Sequence, residues 1–473
     1  MDTILNFATP ILVTSLALSA LILLLLPAKP TTSNTKEPSH ETRVIVLVLG
    51  DIGRSPRMQY HALSIARKGG KVDLVGYNDS PSRPELLTDP SITIHPIPPL
   101  PRFLTTTSKA LFPILAPIKI AVQLHHLLNI IIYTVPHTAL YMLLQNPPSM
   151  PTFLVAWFIS RLRGIKVVID WHNFGWTILG QKLGEGAPIV RIAGMYERLF
   201  GKLVGDVHFT VTNAMKDVLR KEFGISSPIH PLHDRPPTHF HPVTSTEKTT
   251  FLSTFPPTST HLPSLLSGST KLLVSSTSWT PDEDFQLLLT ALTTYDRVAS
   301  LSDFLSLSSN PPTTTSTNPT TTLPHLLLII TGKGPQKSHF EAEIQKLDLQ
   351  HTTIHTAWLE AEDYPTLLAC ADLGVCLHTS SSGVDLPMKV VDLFGAGVPV
   401  AAVGFKALGE LVKDGVNGVV FKDGEELGER LVGLFDESKG GRELSLLKEG
   451  AGEEGGRRWD GEWGRVARPV FGL

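Results

Sequence analysis

Cysteine is scarce in this chain, since Cys370 and Cys376 are the only two among 473 residues. They do not form a C-x-x-C pair and lie within one apolar segment, so we expect buried core thiols in a reducing compartment. Charged residues are also few, at 18% of the chain, and the formal net charge is −3. This balance excludes a globally basic surface for nucleic acid, so any binding of anions must be local.

Two long apolar runs lie in the N-terminal third. Residues 4–26 are mostly apolar and are long enough to cross a bilayer as one helix. Lysines follow this run and none precedes it, which predicts an uncleaved anchor with the rest of the chain in the cytosol, not a removed signal peptide. Residues 111–144 are interrupted by prolines and histidines, a pattern that fits a membrane-surface segment or a buried core helix better than a second span.

Strand and helix patterns alternate from residue 43 onward. Arg43–Leu49 is a continuous apolar run of strand length, and Ser55 and Pro56 are predicted to cap and begin the next helix. Repetition of this pattern predicts an α/β fold with doubly wound parallel sheets. Composition divides the chain into a first domain, a Ser/Thr/Pro-rich linker, a second domain with a low-complexity insert, and a C-terminal tail. The predicted bounds are, in that order, 43–235, 236–270, 271–435 with the insert at 300–322, and 436–473.

The stretch His378–Pro399 is a candidate anion site. It opens with small and hydroxyl residues, and Pro387 is predicted to begin a helix that ends near Gly395. A loop that leads into a helix N-terminus presents unpaired N–H groups, which suits an anionic ligand. An ordinary loop, helix and strand of an α/β domain is the alternative.

Basic side chains also occur in two glycine-containing loops. One loop follows the first strand and contains Gly50, Gly53, Arg54 and Arg57. The other stands at a predicted helix start and contains Gly332, Lys333 and Gly334. Guanidinium and ammonium groups in such loops can bind phosphate, although neither loop matches a Walker motif or a complete G-x-G-x-x-G.

A candidate general base follows another predicted strand. This strand ends at Asp170 and places His172 among aromatic residues. An imidazole titrates near neutral pH and can accept a proton from a sugar hydroxyl, although a histidine satisfied in a packed loop is the alternative. Other polar clusters have structural interpretations. Thr280-Pro-Asp-Glu283 matches a helix capping box, and the histidines between residues 228 and 242 lack the spacing of a metal site.

Five segments together resemble the chitobiosyldiphosphodolichol β-mannosyltransferase family. They are Gly50–Ala62, Ile169–Asn173, Ser276–Phe285, Thr331–Pro335 and Ser382–Asp392. The resemblance implies a GT-B fold, with two Rossmann-like domains facing a cleft, on the cytosolic face of the endoplasmic reticulum membrane. It implies transfer of the first mannose of the N-glycan precursor from GDP-mannose to dolichyl-diphosphate chitobiose, in a β-1,4 linkage. Aligned on Gly397-Val-Pro399, Asp392 stands at the second of two glutamates that the wider GT-B group usually carries, and Val384 stands at the first.

This reaction would invert the anomeric centre, which requires a single in-line attack assisted by a base. We predict His172 as that base, with Asp170 or Asp51 as alternatives. Lys333, Arg54 and Lys389 are predicted to stabilise diphosphate charge. The donor side would also include Gly332, Gly334, Asp385 and Asp392, and the acceptor diphosphate would meet the loop with Gly50, Gly53 and Arg57. No metal ligand motif is present, although a divalent cation such as Mg²⁺ near the diphosphate is compatible with the sequence.

Three rival functions stay open at this point. A related GT-B mannosyltransferase that adds a later mannose would share the fold and the donor. A nicotinamide-dependent oxidoreductase could share the sheets, but the loop at Gly50 lacks the third glycine of the dinucleotide motif. A catalytically silent membrane scaffold for other glycosyltransferases is suggested only by Val384, where a glutamate is usual.

Overall fold

The structure is a computed structural model that describes residues 41–105, 112–308, 322–360, 362–436, 438 and 441–473. The predicted anchor at 4–26 and residues 309–321 of the predicted insert lie outside these ranges. Within them, no helix combines the length and the apolar character that a membrane span requires.

Two sheets built from parallel strand pairs organise the described chain. The strands of the first sheet are β1 (Arg43–Asp51), β2 (Lys71–Tyr77), β3 (Ile92–Pro96), β4 (Tyr141–Asn146), β5 (Lys166–Trp171), β6 (Val207–Thr210) and β7 (Ile229–Pro231). Those of the second are β8 (Thr270–Ser276), β9 (His325–Thr331), β10 (Thr352–Ala357), β11 (Leu373–Cys376), β12 (Val400–Val403) and β13 (Gly418–Phe421).

The strand orders are β3-β2-β1-β4-β5-β6-β7 and β10-β9-β8-β11-β12-β13. Both contain the Rossmann order, in which the direction of winding reverses beside the first strand. The prediction of doubly wound parallel sheets is therefore confirmed. In the second sheet the reversal falls between β8 and β11, and ligands of open α/β sheets bind at the carboxyl ends of such strands.

Helices connect and cover these strands. Those before β8 are α1 (Pro56–Arg67), α2 (Pro84–Thr88), α3 (Phe112–Asn129), α4 (Thr152–Arg163), α5 (Gly175–Leu183), α6 (Pro188–Val204), α7 (Asn213–Lys221), α8 (Ser245–Thr254), α9 (Pro256–Ser259) and α10 (Leu262–Ser267). Those after β8 are α11 (Phe285–Ser308), α12 (Lys337–Ile344), α13 (Asp363–Cys370), α14 (Met388–Gly395), α15 (Gly424–Phe435), α16 (Arg442–Gly455), α17 (Trp459–Val466) and α18 (Arg468–Phe471).

The described residues form two compact units, one of those up to residue 143 together with 150–167, and the other of 144–149 together with those from residue 168 onward. In the first unit, the side chains of Val44 to Val48 on β1 are fully buried. In the second unit, apolar clusters cover both faces of the second sheet and include Cys370 and Cys376, which are free thiols as predicted. The predicted domain bounds at 43–235 and 271–435 stay a prediction.

Two segments are more ordered than their composition suggested. The predicted linker at 236–270 contains α8, α9 and α10, where Thr244 and Glu247 form a capping box and Leu252 is fully buried. The predicted tail contains α16 and α17, and its Trp463 is 1% exposed. Scattered large apolar residues anchor both segments to a core, so a Ser, Thr or Gly-rich composition did not prevent folding.

The apolar segment 111–144 is not one helix. Helix α3 ends at Asn129, and β4 starts at Tyr141. Leu127 and Met142 are fully buried, which favours the core interpretation for the second half of the segment. In the first half Ile118 is 44% exposed, and its predicted contact with a membrane stays a prediction.

Two predicted helix caps were wrong. Ser55 makes no capping bond, because its hydroxyl donates to the carbonyl of Asp51 instead. No helix starts at Thr280, since the next helix, α11, begins later.

Candidate active site

An aspartate and histidine pair lies at the carboxyl end of β5. Asp170 is fully buried, and its Oδ2 lies 2.8 Å from Nε2 of His172. The N–H of His172 also donates to the carbonyl of Asn146 over 2.8 Å, which fixes the backbone at this point. A buried carboxylate that accepts from Nε2–H selects the tautomer in which Nδ1 carries the lone pair. Because 23% of the His172 side chain is exposed, this nitrogen can serve as a base toward a bound ligand.

The next residue joins β5 to the candidate anion loop, which we define as residues 378–387. Asn173 donates through Nδ2 to Oδ2 of Asp385 over 3.2 Å and to Oγ of Ser381 over 3.1 Å. From the end of β6, the hydroxyl of Thr212 donates to the carbonyl of Val384 over 2.6 Å. The predicted base and the predicted anion loop are therefore neighbours.

His378 is held between two carboxylates. Its Nδ1 lies 3.3 Å from Oδ2 of Asp282, and its Nε2 lies 3.7 Å from Oδ2 of Asp385. Burial alone would lower the pKa of His378, but Asp282 and Asp385 raise it to about 9. The hydrogen bond from His378 in turn holds the pKa of Asp282 well below its usual value. At neutral pH His378 is an imidazolium that fixes the direction of Asp385.

Lys389 lies in the first turn of α14 and is paired with Glu283. Glu283 is 3% exposed and also accepts from the hydroxyl of Thr277 and from the N–H of Ser278, over 2.9 Å for the latter. The capping-box interpretation of Glu283 was therefore wrong, because tertiary contacts with α14 use its carboxylate. Lys389 gains a fixed position and a neutralising partner from this arrangement.

A cavity of about 460 Å³ opens at the carboxyl ends of β8, β9 and β10, a volume suited to a small ligand. Its lining includes Ser276, Gly332, Trp358, Tyr364 and Lys389. The cavity therefore combines an ammonium group with an aromatic wall, which can accept a charged and planar ligand.

The two glycines beside Lys333 allow its loop to approach β8 closely. A Cβ on Gly332 would lie 1.8 Å from the carbonyl oxygen of Thr277, and one on Gly334 would lie 1.8 Å from that of Ser278. Gly332 also has a φ of +135°, which other residues rarely adopt. Nζ of Lys333 lies 3.9 Å from the centroid of the Trp358 ring, a cation–π contact at the cavity rim.

Asp392 lies one turn further along α14. Burial and the nearby charge of Asp234 raise the pKa of Asp392 to about 8. Beside it, burial and the charge of Asp392 raise the pKa of Tyr364, whose hydroxyl donates to Ser276 over 3.0 Å. A protonated Asp392 at neutral pH can both donate and accept a hydrogen bond.

The predicted residues after β1 belong to the first unit. Oδ1 of Asp51 accepts from the N–H groups of Gly53 and Ser80 over 3.2 and 3.1 Å. Burial would raise the pKa of Asp51, but hydrogen bonds from the side chain of Ser80 and from these backbone N–H groups lower it. Arg54 is exposed and lies 3.6 Å from Asp51, whereas Arg57 is 4% exposed. Gly50 needs no special conformation, since a Cβ there would make only one ordinary contact, at 3.9 Å.

Several residues of the site were not predicted in that role. They are Asn173, His378, Asp282, Glu283, Trp358 and Tyr364. Asn173 and His378 stood inside motifs that had been singled out, so proximity to His172 and Asp385 was the available signal. The local sequence at Glu283 matched a capping box and so indicated the wrong role, and no sequence pattern marked Trp358. Within the described ranges no three His, Cys, Asp or Glu side chains come together as a metal site.

Known proteins with the same architecture define the class. A family model described as "Glycosyl transferases group 1" matches residues 319–437. The sucrose-phosphate synthase of Thermosynechococcus elongatus superposes with a TM-score of 0.62 at 14% identity, covering 91% of this chain and 99% of that one. With the two Rossmann-like sheets, these matches define a glycosyltransferase of the GT-B fold.

Curated relatives narrow the class to a family. Chitobiosyldiphosphodolichol β-mannosyltransferase of Yarrowia lipolytica is 44% identical over 455 residues, covering 96% of this chain and 91% of the relative. The protein of that name in Dictyostelium discoideum is 40% identical over 418 residues, 83% of this chain and 84% of the relative. UDP-glycosyltransferase TURAN of Arabidopsis thaliana is also 40% identical, over 464 residues, 91% of this chain and 97% of the relative. The chain belongs to the chitobiosyldiphosphodolichol β-mannosyltransferase family.

Proposed function

We propose that this chain transfers the first mannose of the N-glycan lipid precursor from GDP-mannose to dolichyl-diphosphate chitobiose in a β-1,4 linkage. The observation that carries the proposal is the 44% identity, over 455 residues, with a relative named for this acceptor and this linkage type. The other functions considered from the sequence have no comparable support.

His172 is our candidate for the base that removes the proton from the acceptor hydroxyl. Its partner Asp170 orients the ring and would stabilise the imidazolium formed during transfer, since it is buried and lies 2.8 Å away. Asp51 is a weaker candidate, because hydrogen bonds from the side chain of Ser80 and from backbone N–H groups lower its pKa and make it a poorer proton acceptor.

Lys389 and Lys333 are our candidates for stabilising the diphosphate of the departing nucleotide. Lys389 lines the cavity beside β8 and β9 and has Glu283 as a partner, and Lys333 contacts the ring of Trp358, which also lines that cavity. A developing negative charge on the leaving group would draw Lys389 toward the ligand, which stabilises the transition state more than the ground state. Asp392, further along α14, is our candidate for holding a donor hydroxyl.

The identity of the donor is tested by comparing turnover with different nucleotide sugars. Purified chain with a chitobiosyl diphosphate lipid should turn over with GDP-mannose and not with UDP-sugars. This comparison addresses the relative from Arabidopsis whose name specifies UDP. Turnover with a UDP-sugar and none with GDP-mannose would contradict the proposed donor.

Residues 4–26 are proposed to anchor the chain in the endoplasmic reticulum membrane, with the catalytic part in the cytosol and other glycosyltransferases of the pathway as neighbours. The apolar run and the lysines after it support this placement. Deleting residues 1–30 should weaken recovery of the chain with membranes. Full recovery would show that another segment holds it there.

A further inference from the structure

Helix α6 (Pro188–Val204) has its large apolar side chains on the outside. Ile189, Ile192, Met195, Leu199 and Leu203 are between 45% and 60% exposed. They recur every three or four residues and therefore form one stripe along the helix. A surface helix of a soluble protein normally turns such a stripe toward the core, whereas α6 turns its stripe toward the solvent.

The inner face of α6 is made of small or polar residues. Val190, Gly194, Glu197, Gly201 and Val204 are the buried members of the helix. A Cβ on Gly194 would already lie 3.4 Å from the ring of Trp176, so this side packs closely. The inner side of the helix is therefore already packed, and the apolar stripe is not needed to fill the core beneath α6.

Glu197 fixes this orientation. It is fully buried, and its carboxylate accepts from Asn146 over 2.6 Å and from the N–H groups of Gly175 and Trp176 over 3.1 and 3.2 Å. Turning α6 to bury its apolar stripe would remove these partners from a buried carboxylate, which is strongly unfavourable.

The charge on the outer side of α6 is of one sign. Glu197 is the only acidic residue of the helix sequence, and it points inward. Arg191 and Lys202 are exposed and lie, with Arg198, along one edge of the apolar stripe. An apolar face with a basic edge is typical of helices that lie in the surface of a bilayer with anionic lipids.

We propose that the outer face of α6 binds a bilayer surface, with its five apolar side chains in the headgroup boundary and Arg191 and Lys202 against anionic headgroups. Charge complementarity favours this partner over a second copy of the chain, because two copies of this face would bring like charges together. That the contact brings the site to its lipid acceptor rests on the proposed function, but the contact itself does not.

The test places a fluorescent label on the stripe of the full chain. An NBD probe on Met195→Cys is compared with one on Leu446→Cys, since Leu446 is an apolar residue of similar exposure on α16. Native Cys370 and Cys376 are buried, and burial raises the pKa of each to about 11, so neither should react at neutral pH. The labelled chains are reconstituted in phosphatidylcholine vesicles with phosphatidylserine, with or without doxyl-labelled lipid.

The probe at position 195 should be quenched several-fold more by doxyl lipid than the probe at position 446. Adding Arg191→Gln and Lys202→Gln should reduce this quenching in vesicles with phosphatidylserine. Equal or absent quenching at position 195 would overturn the proposal. Energy transfer between probes at position 195 would also overturn it, because it would indicate that a second copy of the chain covers this face. A shift of the probe's fluorescence on deletion of residues 1–30 in the absence of vesicles would overturn it too, because it would indicate that residues 1–30 cover the face.

Activity separates this proposal from the proposed function. Ile192→Ser with Leu199→Ser should slow transfer to an acceptor embedded in vesicles several-fold, and should leave transfer to a detergent-dispersed short-chain acceptor unchanged. If the variant were slowed by the same factor with both acceptors, or with neither, the role of α6 would be overturned. Absence of transfer by the unmodified chain with either acceptor would instead contradict the proposed function.

Discussion

The pair of Glu283 and Lys389 makes different predictions for the binding of GDP when one or the other member is replaced. Replacing Glu283 by glutamine should destabilise the fold but leave binding of GDP intact, because Lys389 would remain available to the diphosphate. Replacing Lys389 by methionine should also destabilise the fold, because the buried carboxylate of Glu283 would lose its partner, and it should in addition weaken the binding of GDP. The two changes therefore separate the structural partner from the residue that meets the ligand.

The expected cost follows from burial. The side chain of Glu283 is 2% exposed and that of Lys389 is 21% exposed. Removing one member of a fully buried pair costs about 3–5 kcal/mol, and the partial exposure of Lys389 reduces our expectation to about 2–3 kcal/mol. Loss of a charged hydrogen bond to phosphate should weaken binding of GDP by roughly tenfold to a hundredfold.

Urea unfolding of the full chain measures the first effect, and titration calorimetry with GDP measures the second. Glu343→Gln is the matched control, since its partner Lys346 is 68% exposed and such pairs contribute less than about 1 kcal/mol. In the double variant the stability should return toward that of the unmodified chain. A stable Glu283→Gln variant, or a Lys389→Met variant that binds GDP normally, would refute the assignment.

Three further predictions concern ionisable groups. His172→Ala should lower the rate of transfer by about 10²–10⁴-fold while calorimetry shows unchanged binding of GDP, and near-normal transfer would exclude His172 as the base. Asp392 has its pKa raised to about 8, so the folded chain favours the protonated form. Its contribution to stability should fall as pH rises from about 4 to 8, by at most about 1.4 kcal/mol per pH unit, and Asp392→Asn should flatten that slope in urea unfolding at several pH values. His233 has its pKa raised to about 9 by hydrogen bonds to Glu410 and Glu462. Its contribution should be complete below about pH 6.5 and lost as pH rises through 9, so the loss of stability on that rise should be smaller in His233→Gln.

The sheets could be predicted from sequence because their signal is local. The apolar run at Arg43–Leu49 can satisfy its backbone and side chains only as a strand covered on both faces, and it became β1. The loop and helix around Pro387 were likewise predictable, since Met388–Gly395 forms α14. In both cases neighbouring residues determine the outcome.

Contacts distant in sequence were not predictable in this way. The sequence around Thr280 matches a capping box, but Glu283 instead pairs with Lys389 of α14, which lies more than a hundred residues later in the sequence. The histidines between residues 228 and 242 showed no partner spacing along the sequence, yet His233 lies 3.3 Å from Glu410 and 3.6 Å from Glu462. Such pairs depend on how whole helices and strands pack together, and a local sequence motif does not encode that packing.

The central claim is tested most directly by the stereochemistry of the product. Purified chain would be incubated with GDP-mannose and chitobiosyl diphosphate lipid, and the released glycan treated with β-mannosidase or α-mannosidase. We expect addition of a single mannose that only β-mannosidase removes, as inversion by one displacement requires. A product sensitive to α-mannosidase, or no mannose transfer to this acceptor, would contradict the account.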